Sequence, residues 1–159
     1  MYFEIVELDE FSGDKAHIYS VCVDGNDNSL FDEFLLENEQ YQDWLNEILV
    51  KLQNMGNNTG CRRGFFRHEE GKPGDGVAAL RVGQLRLYCL YFDNTAVIFG
   101  SGGYKSPDIR SYQEDPALYA KASQMIKIAE AINKAIIEKD IVIDDNGEIQ
   151  TELNSLSYD

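Results

Sequence analysis

The chain has 159 residues, 43% of them hydrophobic and 26% charged, a length and balance that suit one globular domain with its own core and argue against intrinsic disorder. Its formal net charge is −14, so a uniformly acidic surface would repel nucleic acid rather than hold it. It holds no run of about 18 apolar residues able to span a bilayer, and its first residues carry acids with no apolar stretch behind them, so neither membrane association nor a secretory signal is expected.

The charge is uneven along the chain. Residues 1–60 hold 2 bases and 13 acids and residues 111–159 hold 4 and 10, whereas residues 61–110 hold 8 bases against 5 acids. Two readings are open: compositional drift in a folded chain, or a local site for anions inside an acidic protein. Cys22, Cys61 and Cys89 lack metal-ligand spacing. They read as reduced thiols of a cytosolic protein, with Cys22 and Cys89 as small strand fillers.

Taken in order, residues 2–8 and 17–23 read as strands, and residues 24–28 as a loop. Ser29 followed by Asp32 has capping-box spacing and opens a helix. Tyr41, Trp44, Leu45, Ile48, Leu49, Leu52 and Met55 form one amphipathic stripe, expected to stop at Gly56. Two consecutive helices, or one broken helix, packed on a sheet follow from this. Residues 57–76, rich in Gly, Asn and charge, read as a loop in which Phe65 and Phe66 suggest a short strand or an anchor.

Residues 77–82, 85–92 and 95–99 form an antiparallel meander with tight turns at Gly83-Gln84 and Asp93-Asn94. Gly100, Ser101, Gly102 and Gly103 are expected to interrupt the sheet. No GK[ST] follows them, so a bulge or close backbone approach suits them better than a phosphate loop. Asp115 and Pro116 have the chemistry of an N-cap and first helical residue. Leu118, Ala122, Met125, Ala129, Ile132 and Ile136 then mark one buried helix face. Residues 141–143 and 148–150 form a terminal hairpin, and the tail after Thr151 is expected to be mobile. No repeat or domain boundary is visible, so residues 1–159 read as one domain. The fold class is α+β: an antiparallel β-meander packed against N-terminal helices and a C-terminal helix.

Strand alternation places Arg86 and Tyr88 on one face of the meander. Arg81, across the short turn, and Lys105, just past the third strand, can stand near them, with Arg62, Arg63 and Arg67 rimming the same face. Guanidinium forks bind phosphate oxygens, and a phenol can stack on a base or move a proton. Cleavage of RNA by its own 2′-hydroxyl needs a base, an acid and a stabiliser for the crowded phosphate, and cationic side chains can fill the last role without a metal. The same residues would equally suit a solvated sheet face. His17 and His68 match no metal spacing, and no metal or cofactor is expected.

The run Ala79-Leu80-Arg81-Val82-Gly83-Gln84-Leu85-Arg86-Leu87-Tyr88, then Asp93-Asn94, a strand of Val and Ile, and Gly103-Tyr104-Lys105, resembles the core hairpins of RelE/ParE-like toxins. The close likeness spans about residues 77–105, and the element order extends it to most of the chain. The region before Ser29 and the terminal hairpin look like additions: an N-terminal extension and a C-terminal hairpin on a RelE-like domain. The resemblance implies the toxin of a bacterial type II toxin–antitoxin pair, cytoplasmic, with a cognate antitoxin protein as partner. The RelE-like branch cleaves mRNA, usually on the ribosome, and the ParE-like branch inhibits gyrase. By position, Arg86 matches the phosphate-stabilising arginine, Arg81 the basic residue closing the preceding strand, and Lys105 the late basic position. Arg86, Arg81, Lys105 and Tyr88 are thus the candidate catalytic set, and Arg62, Arg63, Arg67 and Tyr104 the candidate substrate-binding set. Val77 and Ala79 stand where RelE-like nucleases often carry lysines, and the family's terminal tyrosine has only Tyr104 and Tyr112 nearby. A non-catalytic module of the same fold, docking gyrase or an antitoxin, and an unrelated α+β domain remain the alternatives.

Overall fold

A computed structural model describes residues 1–68, 76–110 and 112–158. In chain order the elements are β1 (Tyr2–Glu7), β2 (His17–Val23), α1 (Leu30–Glu37), α2 (Gln42–Asn54), β3 (Phe66–Arg67), β4 (Ala78–Val82), β5 (Leu85–Phe92), β6 (Ala96–Tyr104), α3 (Pro116–Ile137), β7 (Ile141–Ile143), β8 (Ile149–Thr151) and β9 (Leu156–Ser157). Among the described residues nine strands make two sheets, one ordered β3-β4-β5-β6-β2-β1-β9 and one pairing β7 with β8. The large sheet is antiparallel throughout except where β2 runs parallel to β6. That pairing sets the strands preceding Ser29 inside the sheet, with β2 between β6 and β1.

Both faces of the sheet are covered, which the sequence shows as period-2 alternation between two apolar sets. Leu85, Leu87 and Cys89 of β5 pack with Phe31 and Phe34 of α1 and Leu45, Ile48 and Leu52 of α2. Tyr88 and Leu90 pack on the other face, against Leu118, Ala122, Met125, Ala129 and Ile132 of α3. Burying each such large side chain contributes about 1.5–3 kcal/mol. The expected class, an α+β meander against N-terminal helices and a C-terminal helix, describes this arrangement.

The helix starts obey their capping chemistry. Ser29 Oγ accepts the Asp32 N–H and Asp32 Oδ2 accepts the Ser29 N–H, both at 3.1 Å, so two otherwise orphaned donors are satisfied reciprocally. Asp115 Oδ1 accepts from the Ala117 and Leu118 N–H groups ahead of α3. Of the two arrangements expected, two consecutive helices are present: α1 from the Ser29 cap and α2 carrying the apolar stripe, joined by a short turn at Glu39–Tyr41.

Three expectations are corrected. Gly56 does not stop α2: a π-helical turn, Met55–Thr59, carries the chain on to Gly60. The Gly56 carbonyl is occupied elsewhere, accepting the Lys15 and Ala16 N–H groups at 2.8 and 3.2 Å. Gly100, Ser101, Gly102 and Gly103 do not interrupt the sheet, because β6 runs through all four, with an irregularity in its pairing to β5 between Leu87 and Cys89. The tail after Thr151 is tied down: β9 pairs with β1, and the buried Tyr158 ring meets Phe3 edge-on at 5.7 Å. Of the loop expected over residues 57–76, residues 69–75 lie outside the described residues, and Phe66–Arg67 supply its short strand.

All three cysteines are free thiols. Burial pushes the Cys61 thiol up to about 12 and Cys89 well above its ordinary value. Cys22 is raised by burial and then by Glu4. None is poised as a thiolate, which matches the reading of small buried fillers for Cys89. Among the described residues, no helix is long and apolar enough to cross a membrane.

Candidate nucleic-acid interface

The β4–β5 hairpin is pinned at its turn. Gly83 has φ of 56°, and a β-carbon there would stand 2.2 Å from the Trp44 ring. Only glycine meets both demands, the left-handed backbone and the close ring. With the turn fixed, Arg81 falls directly opposite Arg86, and Ala79 opposite Tyr88. On the next strand out, Arg67 pairs with Ala79. Cross-strand partners project to the same side and residues two apart share a face. Arg67, Arg81, Arg86 and Tyr88 therefore share one face across three adjacent strands.

Their exposure differs sharply. Arg67 and Arg81 are exposed. Neither makes a salt bridge or a side-chain hydrogen bond among the described residues. Arg86 is only 4% exposed and Tyr88 only 1%. The Arg86 Nη1 donates to the Gly83 and Leu85 carbonyls at 3.1 and 3.0 Å, so its guanidinium braces the turn. Over Tyr88 lies Tyr112, with ring centroids 6.0 Å apart, and Tyr119 of α3 stacks on Tyr112 at 6.2 Å. The meander face expected to be open is thus roofed at Tyr88 by Tyr112 and by Tyr119 of α3, and Arg86 is buried beside it. Alternation along β5 reveals the shared face; it does not reveal a roof contributed by Tyr112 and Tyr119 from further along the chain.

Lys105 follows β6, as expected, and its N–H is held by the Gln84 carbonyl at 2.7 Å, which brings it to the hairpin turn. Its Nζ donates to the Arg110 carbonyl at 3.0 Å. Tyr104 points the other way. It pairs with Leu85, whose side chain belongs to the α1/α2 face, and it stacks on Tyr41 at 5.2 Å and near Trp44 at 6.4 Å. Tyr41 and Trp44 stack at 5.4 Å, so three rings form a ladder that begins on α2. Arg62 and Arg63 are exposed in the turn before β3. Tyr104 is therefore not brought together with Arg86.

Sequence reasoning missed two features. Lys51 of α2 is among the residues that line a hollow of about 370 Å³ at the sheet edge, as are Arg67 and Arg81, whose side chains project to the opposite face of the sheet from α2. Its signal was its place in the last turn of α2, the single base among thirteen helical residues. The second is a pair: the exposed His68 ring hydrogen-bonds the Tyr91 hydroxyl, and Phe66 stacks on Tyr91 at 4.6 Å. Burial, then the Arg63 charge, lowers the His68 pKa, which keeps this imidazole neutral at neutral pH. Among the described residues no group of three or more His, Cys, Asp or Glu side chains is placed to hold a metal ion.

The chemistry these side chains permit is anion binding on an exposed sheet edge, continuous with a buried arginine beneath it. Comparison with protein families, with characterised proteins and with solved structures finds no match for this chain.

Proposed function

We propose that the protein is an RNA-directed toxin of the RelE/ParE type, cleaving mRNA on the ribosome without a metal and neutralised by a cognate antitoxin protein. Its place of action is then the cytoplasm. The observation that carries this reading is the row of Arg67, Arg81 and Arg86 on one face of three neighbouring strands. Phosphates along a strand meet arginine forks spaced across the sheet. Arg81 and Arg67 take the first contacts, being exposed. This reading assigns the crowded phosphate to Arg86 and proton transfer to Tyr88 and Lys105. In the step itself, the 2′-oxygen bonds to phosphorus and loses its proton. The bond from phosphorus to the 5′-oxygen breaks, and that oxygen takes up a proton.

The second reading is a non-catalytic module of the same fold that docks a protein such as gyrase or an antitoxin. The burial of Arg86 and Tyr88 favours it. Induction in cells separates the alternatives. Wild-type protein should arrest growth with loss of mRNA, and Arg81→Ala should relieve both. Arrest by Arg81→Ala equal to wild type removes the arginine row from the mechanism, and arrest with intact mRNA selects the docking module.

A further inference from the structure

We propose that the outer edge of β1 takes an extended, basic segment of another protein as an added strand, paired with the outward backbone groups of Ile5 and Glu7. Antiparallel pairing alternates residues that bond to the neighbouring strand with residues that point away from it. The Leu8 N–H donates to the Ile18 carbonyl and the Asp24 N–H to the Tyr2 carbonyl, at the two ends of the β1–β2 ladder. Even-numbered residues of β1 therefore bond to β2, and odd-numbered ones face outward. β9 meets that outward side only at Tyr2 and Phe3, and just before them the Tyr158 N–H donates to the Met1 carbonyl at 3.0 Å. Further along β1, the N–H and C=O groups of Ile5 and Glu7 have no hydrogen-bond partner among the described residues. A strand edge with free donors and acceptors is a template on which another strand can pair.

Charge names the occupant. Glu4 lies opposite Cys22 and Glu7 opposite Tyr19. Tyr19 belongs to the α3-facing set, so Glu7 flanks the edge on that side and Glu4 on the side of α1. On the α1 side, burial raises the Cys22 pKa, and Glu4, Asp32, Asp27 and Glu33 raise it further. On the α3 side, burial raises that of Tyr19, and Glu7, Glu148 and Asp144 add to it. Each group thus senses carboxylates from more than one element. Glu7 shares its charge with His17, whose Nδ1 stands 2.6 Å from Glu7 Oε2, whereas Glu4 is exposed and makes no ion pair among the described residues. Successive residues of an added strand point to opposite faces, so neighbouring lysines or arginines meet acids on both. A second copy would bring its own Glu4 and a net charge of −14 to the same edge, which repels, and a basic segment is the complement. The arginine row lies toward the other end of the sheet, beyond β2 and β6, so this inference stands apart from the RNA reading.

The test uses the full chain and a capped octapeptide in which valine pairs alternate with lysine pairs. One control peptide carries glutamate for lysine. The other keeps the lysines but has proline for valine, so it holds the charge and loses strand pairing. The lysine–valine peptide should bind at least about tenfold more tightly than either control. At saturation it should slow hydrogen exchange of the Ile5 and Glu7 amides by at least about tenfold. Glu4→Lys should weaken it by about threefold or more, with an unchanged amide spectrum away from β1 as the check on folding. No binding, binding that leaves the Ile5 and Glu7 amides exchanging as before, or equal binding of the proline peptide overturns the added strand. Equal binding of the glutamate peptide overturns its basic character. Protection of the same amides in the chain alone, rising with its concentration, assigns the edge to a second copy and also overturns the proposal.

Discussion

A β-carbon on Gly102 would lie 1.8 Å from the carbonyl oxygen of Arg86, so the candidate arginine and this glycine depend on each other through backbone rather than side chains. The contact occurs where β6 crosses β5, with Gly102 paired to Leu87 and Gly103 to Arg86. Gly102→Ala must push the two strands apart, since the atom it meets is backbone and not a flexible side-chain end. The substitution should cost about 3 kcal/mol, read as a lowered urea midpoint, and a change under about 0.5 kcal/mol would show that the strands are not so closely apposed. At this scale the sequence was legible where alternation decides. Arg81, Arg86 and Tyr88 share the face that period-2 patterning assigns them. It was not legible where burial decides, because the cover over Tyr88 comes from Tyr112 and Tyr119. Lys51 was invisible for a related reason: the hollow it lines is closed by residues of other elements.

Among the elements, the terminal hairpin is anchored by one phenol. The Tyr19 hydroxyl on β2 accepts the Ile149 N–H of β8 at 2.9 Å. Burial, with smaller pushes from Glu7, Glu148 and Asp144, raises its pKa to about 12. In the unfolded chain a tyrosine ionises near 10. The folded-state value is the higher one, so the protonated phenol's contribution is complete below pH 10 and is lost as pH rises from 10 toward 12. Stability should fall more steeply over that window in wild type than in Tyr19→Phe, measured by urea unfolding at stepped pH. Parallel curves would mean that the phenol titrates alike in both states. Cap chemistry was readable for α1 and α3, where Ser29, Asp32 and Asp115 bond as their spacing implies. Glycine punctuation misled at Gly56 and at Gly100 to Gly103. At Gly56 the glycine serves a close approach by the Phe11–Gly13 loop, which a local reading takes for a break; at Gly100 to Gly103 the expected bulge and close approach are present, but the strand runs on through them. The tail was misread likewise: its polar residues hide a strand pairing with β1 that only tertiary packing supplies.

For the whole molecule the question is how a chain of net charge −14 could act on a polyanion. The answer offered is segregation. Bases concentrate in residues 61–110, and the fold lays Arg67, Arg81 and Arg86 on one face of neighbouring strands. End-group mapping of mRNA in a translating extract supplied with the purified protein tests this most directly. Attack by the 2′-oxygen leaves a 5′-hydroxyl on the downstream fragment and a cyclic phosphate upstream. The proposed mechanism predicts 5′-hydroxyl ends within coding sequence that disappear with Arg81→Ala. Intact mRNA, or fragments bearing 5′-phosphates, would contradict it.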